Sequence, residues 1–286
     1  MSGQERGTTL GVGERRAGRI AVGVVAWVVG LVWIFPVAWT VFTSFKTEQD
    51  ATAQTLTQGL SLDRYREVSS STEGTLSLAT ALSNSLFVVL VSTTLVMLLA
   101  VPTAYALAIR RVPKWRDILF FFISTKFLPV VASIFPIYVY AEKWNLIGTR
   151  TILVVLYTAM NLQLAVWMIR SFFMEVPREL IEAAEIDGTK LINQLRSVIV
   201  PISAPGIAAT ALLCVIFAWN EYFYAIQLNF ANGSTMPQWV IGNVDTRGNF
   251  LAKLSAASVI ACLPVVLAGW IAQKRMIRGL SMGAIK

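Results

Sequence analysis

The chain has 286 residues, 56% of them hydrophobic and only 14% charged, with a mean hydropathy of +0.64. That balance excludes an ordinary soluble globular domain. There is no histidine, which excludes Ser-His-Asp, Cys-His and His-ligated metal chemistry, and the net charge of +8 reads as membrane topology and contact with anionic head groups, not as a nucleic-acid footprint.

Crossing roughly 30 Å of hydrocarbon takes about 20 apolar residues. Six runs reach that length, at 20–42, 84–109, 118–141, 151–171, 206–228 and 255–273. Lipid offers no partner to backbone N–H and C=O groups, so such runs should be helices. The expected fold is an all-α integral membrane protein with six transmembrane helices, organised as a tail over 1–19, a membrane domain over 20–275 and a tail over 276–286.

The first run follows Arg15, Arg16 and Arg19 as the apolar core of a signal peptide would. It is too long for one, carries Trp27, Trp33 and Trp39, and is followed by no small-residue cleavage site, so it is expected to remain as an anchor. The segment 43–83 is rich in Ser and Thr and reads as a loop on the opposite face, with a short surface helix around Leu62 to Val68. Pro36, Pro102, Pro129, Pro136 and Pro264 fall in or beside the runs as expected kinks. Cys214 and Cys262 lack the spacing of a disulfide framework or a zinc site and read as small core hydrophobes.

An even number of spans places both termini on one side. Of the 24 Lys and Arg, sixteen fall on that side, among them Arg6, Arg110, Arg111, Arg170, Arg196 and Lys286; seven, among them Arg247, fall opposite, and Lys126 lies inside a span. The positive-inside rule then makes the termini cytoplasmic.

On the same side lies a polar island at 177–206, PRELIEAAEIDGTKLINQLRSVIVPISAPG. Pro177 suits a helix start, with Glu179 and Glu182 in the first turns where the helix dipole favours negative charge. Gly188 can take positive φ and end the helix, Thr189 can cap a second one, and Pro201 and Pro205 mark the return to the membrane. Glu179 and Glu182 share a face, while Ala183 and Ala184 add little bulk, a combination suited to docking into another protein's groove. An amphipathic elbow on the lipid would be disfavoured by the negative leaflet.

Glu182-Ala183-Ala184, Asp187-Gly188 and Ile199-Val200-Pro201 resemble the cytoplasmic EAA loop of permease subunits from bacterial ABC importers. Phe217-Ala218-Trp219-Asn220-Glu221-Tyr222, the ending Gly279-Leu280-Ser281-Met282-Gly283-Ala284-Ile285-Lys286 and Asn84-Ser85 look like the MalG-type carbohydrate-uptake permeases, and Ser124-Thr125-Lys126 before Pro129 looks like members assigned to sorbitol and mannitol. Val200 stands where the family usually has Leu. The resemblance implies a MetI/MalG-like fold, with Glu182, Ala183, Ala184, Asp187 and Gly188 forming a coupling helix on a separate ATPase. It also implies a second, MalF-like permease, two ATPase copies, an extracytoplasmic solute-binding protein, and alternating access powered by ATP and Mg on the partner, with no cofactor or metal held by this chain.

The chain itself reads as no enzyme. Gly188-Thr189-Lys190 lacks the upstream glycine and strand of a phosphate loop. Gly279-Leu280-Ser281-Met282-Gly283 fits G-x-S-x-G without its strand, helix or base. Polar groups inside spans are candidates for the substrate path: Lys126, Asn161, Gln163, Asn220 and Glu221, with Trp219 and Tyr222 as aromatic surface for a polyhydroxylated ligand. The competing reading for each is interhelical hydrogen bonding. A secondary transporter would need ion sites and repeats, and no convincing repeat relates 1–141 to 142–286.

Overall fold

A computed structural model describes residues 10–53, 59–70, 77–110, 112–127, 129–228, 234–244 and 250–283, with side chains from Arg19 to Gln273. The charges read at Arg6, Arg111, Arg247 and Lys286, and the side chains of Arg15, Arg16, Lys274, Arg275 and Arg278, lie outside the described residues.

The described residues are helical, with no strand among them. The helices are α1 (Leu10–Thr43), α2 (Glu48–Thr52), α3 (Asp63–Ser70), α4 (Leu78–Ala108), α5 (Trp115–Ser124), α6 (Val130–Lys143), α7 (Arg150–Met174), α8 (Arg178–Ile186), α9 (Leu191–Gln194), α10 (Val200–Ile202), α11 (Ala204–Trp219), α12 (Phe223–Leu228), α13 (Met236–Ile241) and α14 (Leu251–Gly283). Stretches in α1, α4, α7 and α14 are each long and apolar enough to cross a membrane, and bent pairs raise the number to as many as six.

Two expected spans are not single rods. The run at 118–141 is α5 and α6, joined through a short 3₁₀ turn at Thr125–Phe127 and bent by 93°. Pro129, as the N-cap of α6, has no N–H to continue the ladder. The run at 206–228 breaks between α11 and α12, and α11 at 16 residues spans only about 24 Å.

α4 and α7 form the main packing seam. Ala81, Ser85, Val88, Ser92, Val96, Ala100 and Ala104 are buried along one face of α4, a stripe of small residues that lets two helices approach where lipid supplies no hydrophobic drive. The core lies in two layers stacked along this seam. One gathers Val88, Leu153, Tyr157, Ala225 and Trp239; the other gathers Val96, Ala165, Ile169, Phe173, Ile181 and Cys214. In contrast, none of the apolar window of α1 is buried within the chain.

The described parts of the loop at 43–83, which shows no role in its composition, brace the face opposite the polar island. Its helix α3 covers the expected stretch, and the Ser44 and Tyr65 hydroxyls share a 2.6 Å hydrogen bond. Glu48 accepts from the Ala252 and Lys253 amides at 3.0 and 2.7 Å, capping the start of α14, and Lys253 pairs with Glu67 at 3.3 Å. Asn84 and Ser85 do similar service for α13: Asn84 donates to the Ser234 carbonyl at 3.2 Å and Ser85 accepts from the Met236 amide at 2.8 Å.

Candidate functional site

The polar island folds as a helix, a tight turn and an elbow. Pro177, with φ −55° and ψ 131°, stands just before α8 as its N-cap, so the helix starts beside it at Arg178. Gly188 takes φ +68°, its amide donates to the Glu185 carbonyl at 3.0 Å, and the Thr189 amide donates to Ala184 at 3.1 Å. These two bonds form a Schellman motif. Thr189 does not cap the second helix as expected: its hydroxyl turns back to the Ala184 carbonyl at 2.6 Å, and Lys190 is the N-cap of α9. The left-handed turn at Gly188 carries Thr189 back over the helix it leaves.

The faces of α8 are sharply divided. Ile181 and Ala184 are buried against the chain's own core, while Glu179, Glu182, Ala183 and Asp187 are exposed and Ile186 is 87% exposed. Ala183 thus keeps its expected place on the free face, whereas Ala184 faces inward, where its small size lets α8 pack closely. Ile186, with Glu182, Glu185 and Asp187 near it in sequence, is left uncovered by the described residues.

Beyond α9, a π-helical turn at Leu195–Ile199 lets the Val200 amide reach the Leu195 carbonyl. The widened turn precedes Pro201, which has no N–H and would crowd a regular α turn. The arm from Leu191 to Ile202 then meets α11 at 82°, with Ser203 buried in the corner. Gly206 sits under Phe172 of α7: a Cβ there would lie 2.2 Å from the ring's Cγ, so only glycine fits.

Polar contacts tie this loop to the end of α4 and brace the neighbouring helix ends. The Arg110 guanidinium pairs with Glu185 at 2.7 Å. The Tyr105 hydroxyl donates to Gln194 Oε1, and Gln194 Nε2 donates to the Ile181 carbonyl at 3.2 Å. Arg170 donates to the Leu107 carbonyl at 3.3 Å and stacks on Trp115 at 4.3 Å. Sequence reasoning missed Tyr105, Gln194, Arg110 and Gly206. A signal existed for Gln194, an uncharged polar residue in a stretch whose neighbours Leu195, Val198 and Ile199 are core residues.

The intramembrane polar residues divide into two places. At about 1.5 Å per residue, Gln163 lies about 20 Å from the Arg150 end of α7 and about 16 Å from the Met174 end, close to mid-span. There Lys126, in the 3₁₀ turn of the α5–α6 break, lines with Gln163, Ile123, Leu164 and Trp167 a pocket of about 190 Å³. Lys126 makes no ion pair among the described residues, and buried oxygens of Gln163, Asn161 and Thr93 are without hydrogen-bond partners there. Asn161 also donates to its own helix at Tyr157, 3.0 Å away.

The second place is the α11–α12 break. Trp219 is buried and donates its ring N–H to the Ala261 carbonyl of α14 at 3.1 Å. The Glu221 carboxylate accepts from the Tyr224 amide at 2.9 Å and the Ala225 amide at 3.4 Å, opening α12, while its carbonyl accepts from Tyr157 at 3.2 Å. Asn220 is exposed and donates to Ile216 at 2.8 Å, and Tyr222 is half-buried beside it. The structure does not bring this group together with the Lys126 pocket. Gly279 to Gly283 lie in the last turns of α14, which is not the strand–turn–helix of a nucleophile elbow.

Comparison with known proteins gives three findings. Residues 100–280 match the family described as binding-protein-dependent transport system inner membrane component. The chain is 33% identical over 259 residues to the sulfoquinovosyl glycerol transport system permease protein SmoH of Agrobacterium fabrum, covering 88% of this chain and 89% of that protein. It is 29% identical over 271 residues to the trehalose/maltose transport system permease protein MalG of Thermococcus litoralis, covering 94% and 97%. In fold it is similar to a chain of a bacterial ABC transporter involved in the import of the acidic polysaccharide alginate, with a TM-score of 0.70, 22% identity, and coverage of 95% and 99%.

Proposed function

The chain belongs to the family of binding-protein-dependent transport system inner membrane components, and from that premise we propose that it is the permease subunit of an ABC importer for a sugar or polyol. Its part is transport, not catalysis. The observation that carries the coupling assignment is α8: a helix closed by Gly188 that presents Glu179, Glu182 and Ile186 to solvent on the side holding Arg110, Arg170 and Arg196. That side is cytoplasmic, as are both termini, by the distribution of Lys and Arg. Glu182, Ala183, Asp187 and Gly188 form the docking surface and its turn, with Ala184 as the inward support. They meet one copy of a dimeric ATPase that binds ATP and Mg, and a MalF-like second permease carries the matching loop.

The solute path is completed with that second permease, after delivery by an extracytoplasmic binding protein. On this chain, Lys126, Gln163 and Asn161 offer the mid-span contacts and Asn220 a further polar group towards the opposite face, while Glu221, Trp219 and Tyr222 hold the helix break. Lys126 and Gln163, the polar residues lining the pocket beside Trp167, support a hydroxylated ligand. The relatives named for trehalose/maltose and sulfoquinovosyl glycerol transport support a carbohydrate, and the Ser124-Thr125-Lys126 resemblance keeps polyols in the screen. Transport proceeds by alternating access. α8 biases that equilibrium by binding the open and closed ATPase dimers with different affinity, since a contact equal in both states shifts nothing.

The test uses Gly188→Pro, which cannot hold φ +68°, and Glu182→Lys. Both are expected to abolish ATP-driven uptake with unchanged membrane levels. Normal uptake by both variants overturns the coupling assignment.

A further inference from the structure

Resting on the reading of α8 as the coupling helix, we propose that Gln194 is a positioning residue that transmits the movement of α8 to α4, through a buried relay from the Ile181 carbonyl to the Tyr105 hydroxyl. Gln194 is 1% exposed and Tyr105 is 7% exposed. The Gln194 amide stands between two elements: Nε2 donates to Ile181 of α8 at 3.2 Å, and Oε1 accepts from Tyr105 near the end of α4. Because a carbonyl only accepts, the Ile181 contact fixes the orientation of the amide, and the oxygen is left for Tyr105.

The surroundings explain why this link outranks the others. Tyr105 belongs to the apolar cluster that also holds Ala104, Leu107, Ile181 and Ile199, and Gln194 is buried, so neither group finds water to replace its partner when the two separate. Apolar contacts slide at little cost, whereas a buried hydrogen-bonded bridge resists displacement because it leaves unpaired groups behind. The Arg110–Glu185 pair links α8 to the chain just past α4 but is 38% and 50% exposed, and such a pair contributes little. α8 is covalently continuous with α7 through Glu175 to Pro177 and reaches α4 only through side chains. The relay gives α8 a direct polar hold on α4, besides the route through α7 and the α4–α7 seam. Both sides of the α4–α7 seam then move together, and α4 carries Ser92 and Thr93 at mid-span.

The test uses the whole importer in lipid nanodiscs or vesicles, with its binding protein and a transported sugar, and compares wild type, Tyr105→Phe, Gln194→Met and the double variant. The readouts are ATPase retained in the complex, stimulation of ATP hydrolysis by loaded binding protein, and solute moved per ATP hydrolysed. Each single variant is expected to keep its ATPase and lose about tenfold in solute moved per ATP, as fits the loss of one well-made hydrogen bond. The double variant is expected to be no worse than the poorer single one, because both break one relay. Tyr105→Phe alone decides the matter if Gln194→Met fails to assemble. An unchanged ratio in Tyr105→Phe overturns the relay, as do additive losses or a lower yield of complexes that transport normally. A wild-type complex that retains no ATPase overturns the coupling reading itself, a result separate from these.

Discussion

Ile186→Ala is the sharpest test of which face of α8 docks. The side chain is 87% exposed in the free chain, and docking in an ATPase groove would bury it. Full burial of such a side chain is worth about 1.5–3 kcal/mol. Alanine retains only the first carbon, so the loss should be about 2 kcal/mol, or about thirtyfold in dissociation constant. The free chain should scarcely notice, since substitutions at exposed positions stay within about 0.5 kcal/mol. Ile181, five residues earlier on the same helix, provides the control: it is 8% exposed and faces the chain's own core. Ile181→Ala should cost about 2–4 kcal/mol in stability through the cavity it leaves, with affinity of the folded fraction little changed. The assay is titration of the purified ATPase onto the permease pair in nanodiscs, alongside thermal unfolding of each variant. A dissociation constant for Ile186→Ala within twofold of wild type refutes the assigned face, and so does the reverse pattern between the two isoleucines.

Gly206→Ala places a methyl 2.2 Å from Phe172 Cγ and should lower stability by about 1–3 kcal/mol, measured as a fall in melting temperature that Phe172→Leu partly reverses in the double variant. Glu48→Ala leaves the Ala252 and Lys253 amides without their acceptor and should cost about 1–2 kcal/mol, as loss of a helix cap does, read as faster protease cleavage at the start of α14. Lys126→Met is expected to cut the maximal uptake rate about tenfold, the worth of one charge-assisted contact, while affinity of the isolated binding protein for the solute stays the same.

Much of the fold was legible because lipid imposes a simple rule: about 20 apolar residues must form a helix. The six runs correspond to helices or helix pairs, and the island's start at Pro177 and its stop at Gly188 follow from backbone chemistry that a sequence displays. The bends were not legible. Hydropathy averages over a window and gives α5 and α6 the same signal as one straight rod, although Pro129 marked the place. The break at Asn220 to Tyr222 was hidden for the same reason, its polar pair reading as path residues although the Glu221 carboxylate is taken up by α12. Partners distant in sequence were beyond reach as well. Asn84 and Ser85 meet Ser234 and Met236 about 150 residues away, and Tyr105 meets Gln194 across 89. Ala183 and Ala184 look equivalent in sequence, and only packing divides them into an outer and an inner residue.

Purification of the tagged chain from its native host in mild detergent, with identification of the co-purifying subunits by mass spectrometry, addresses the importer assignment most directly. A P-loop ATPase in two copies, a second permease and an extracytoplasmic binding protein are expected with it. Recovery of the chain alone, under conditions in which a known importer of the family stays intact, means that α8 docks on no ATPase and that this protein is not an importer subunit.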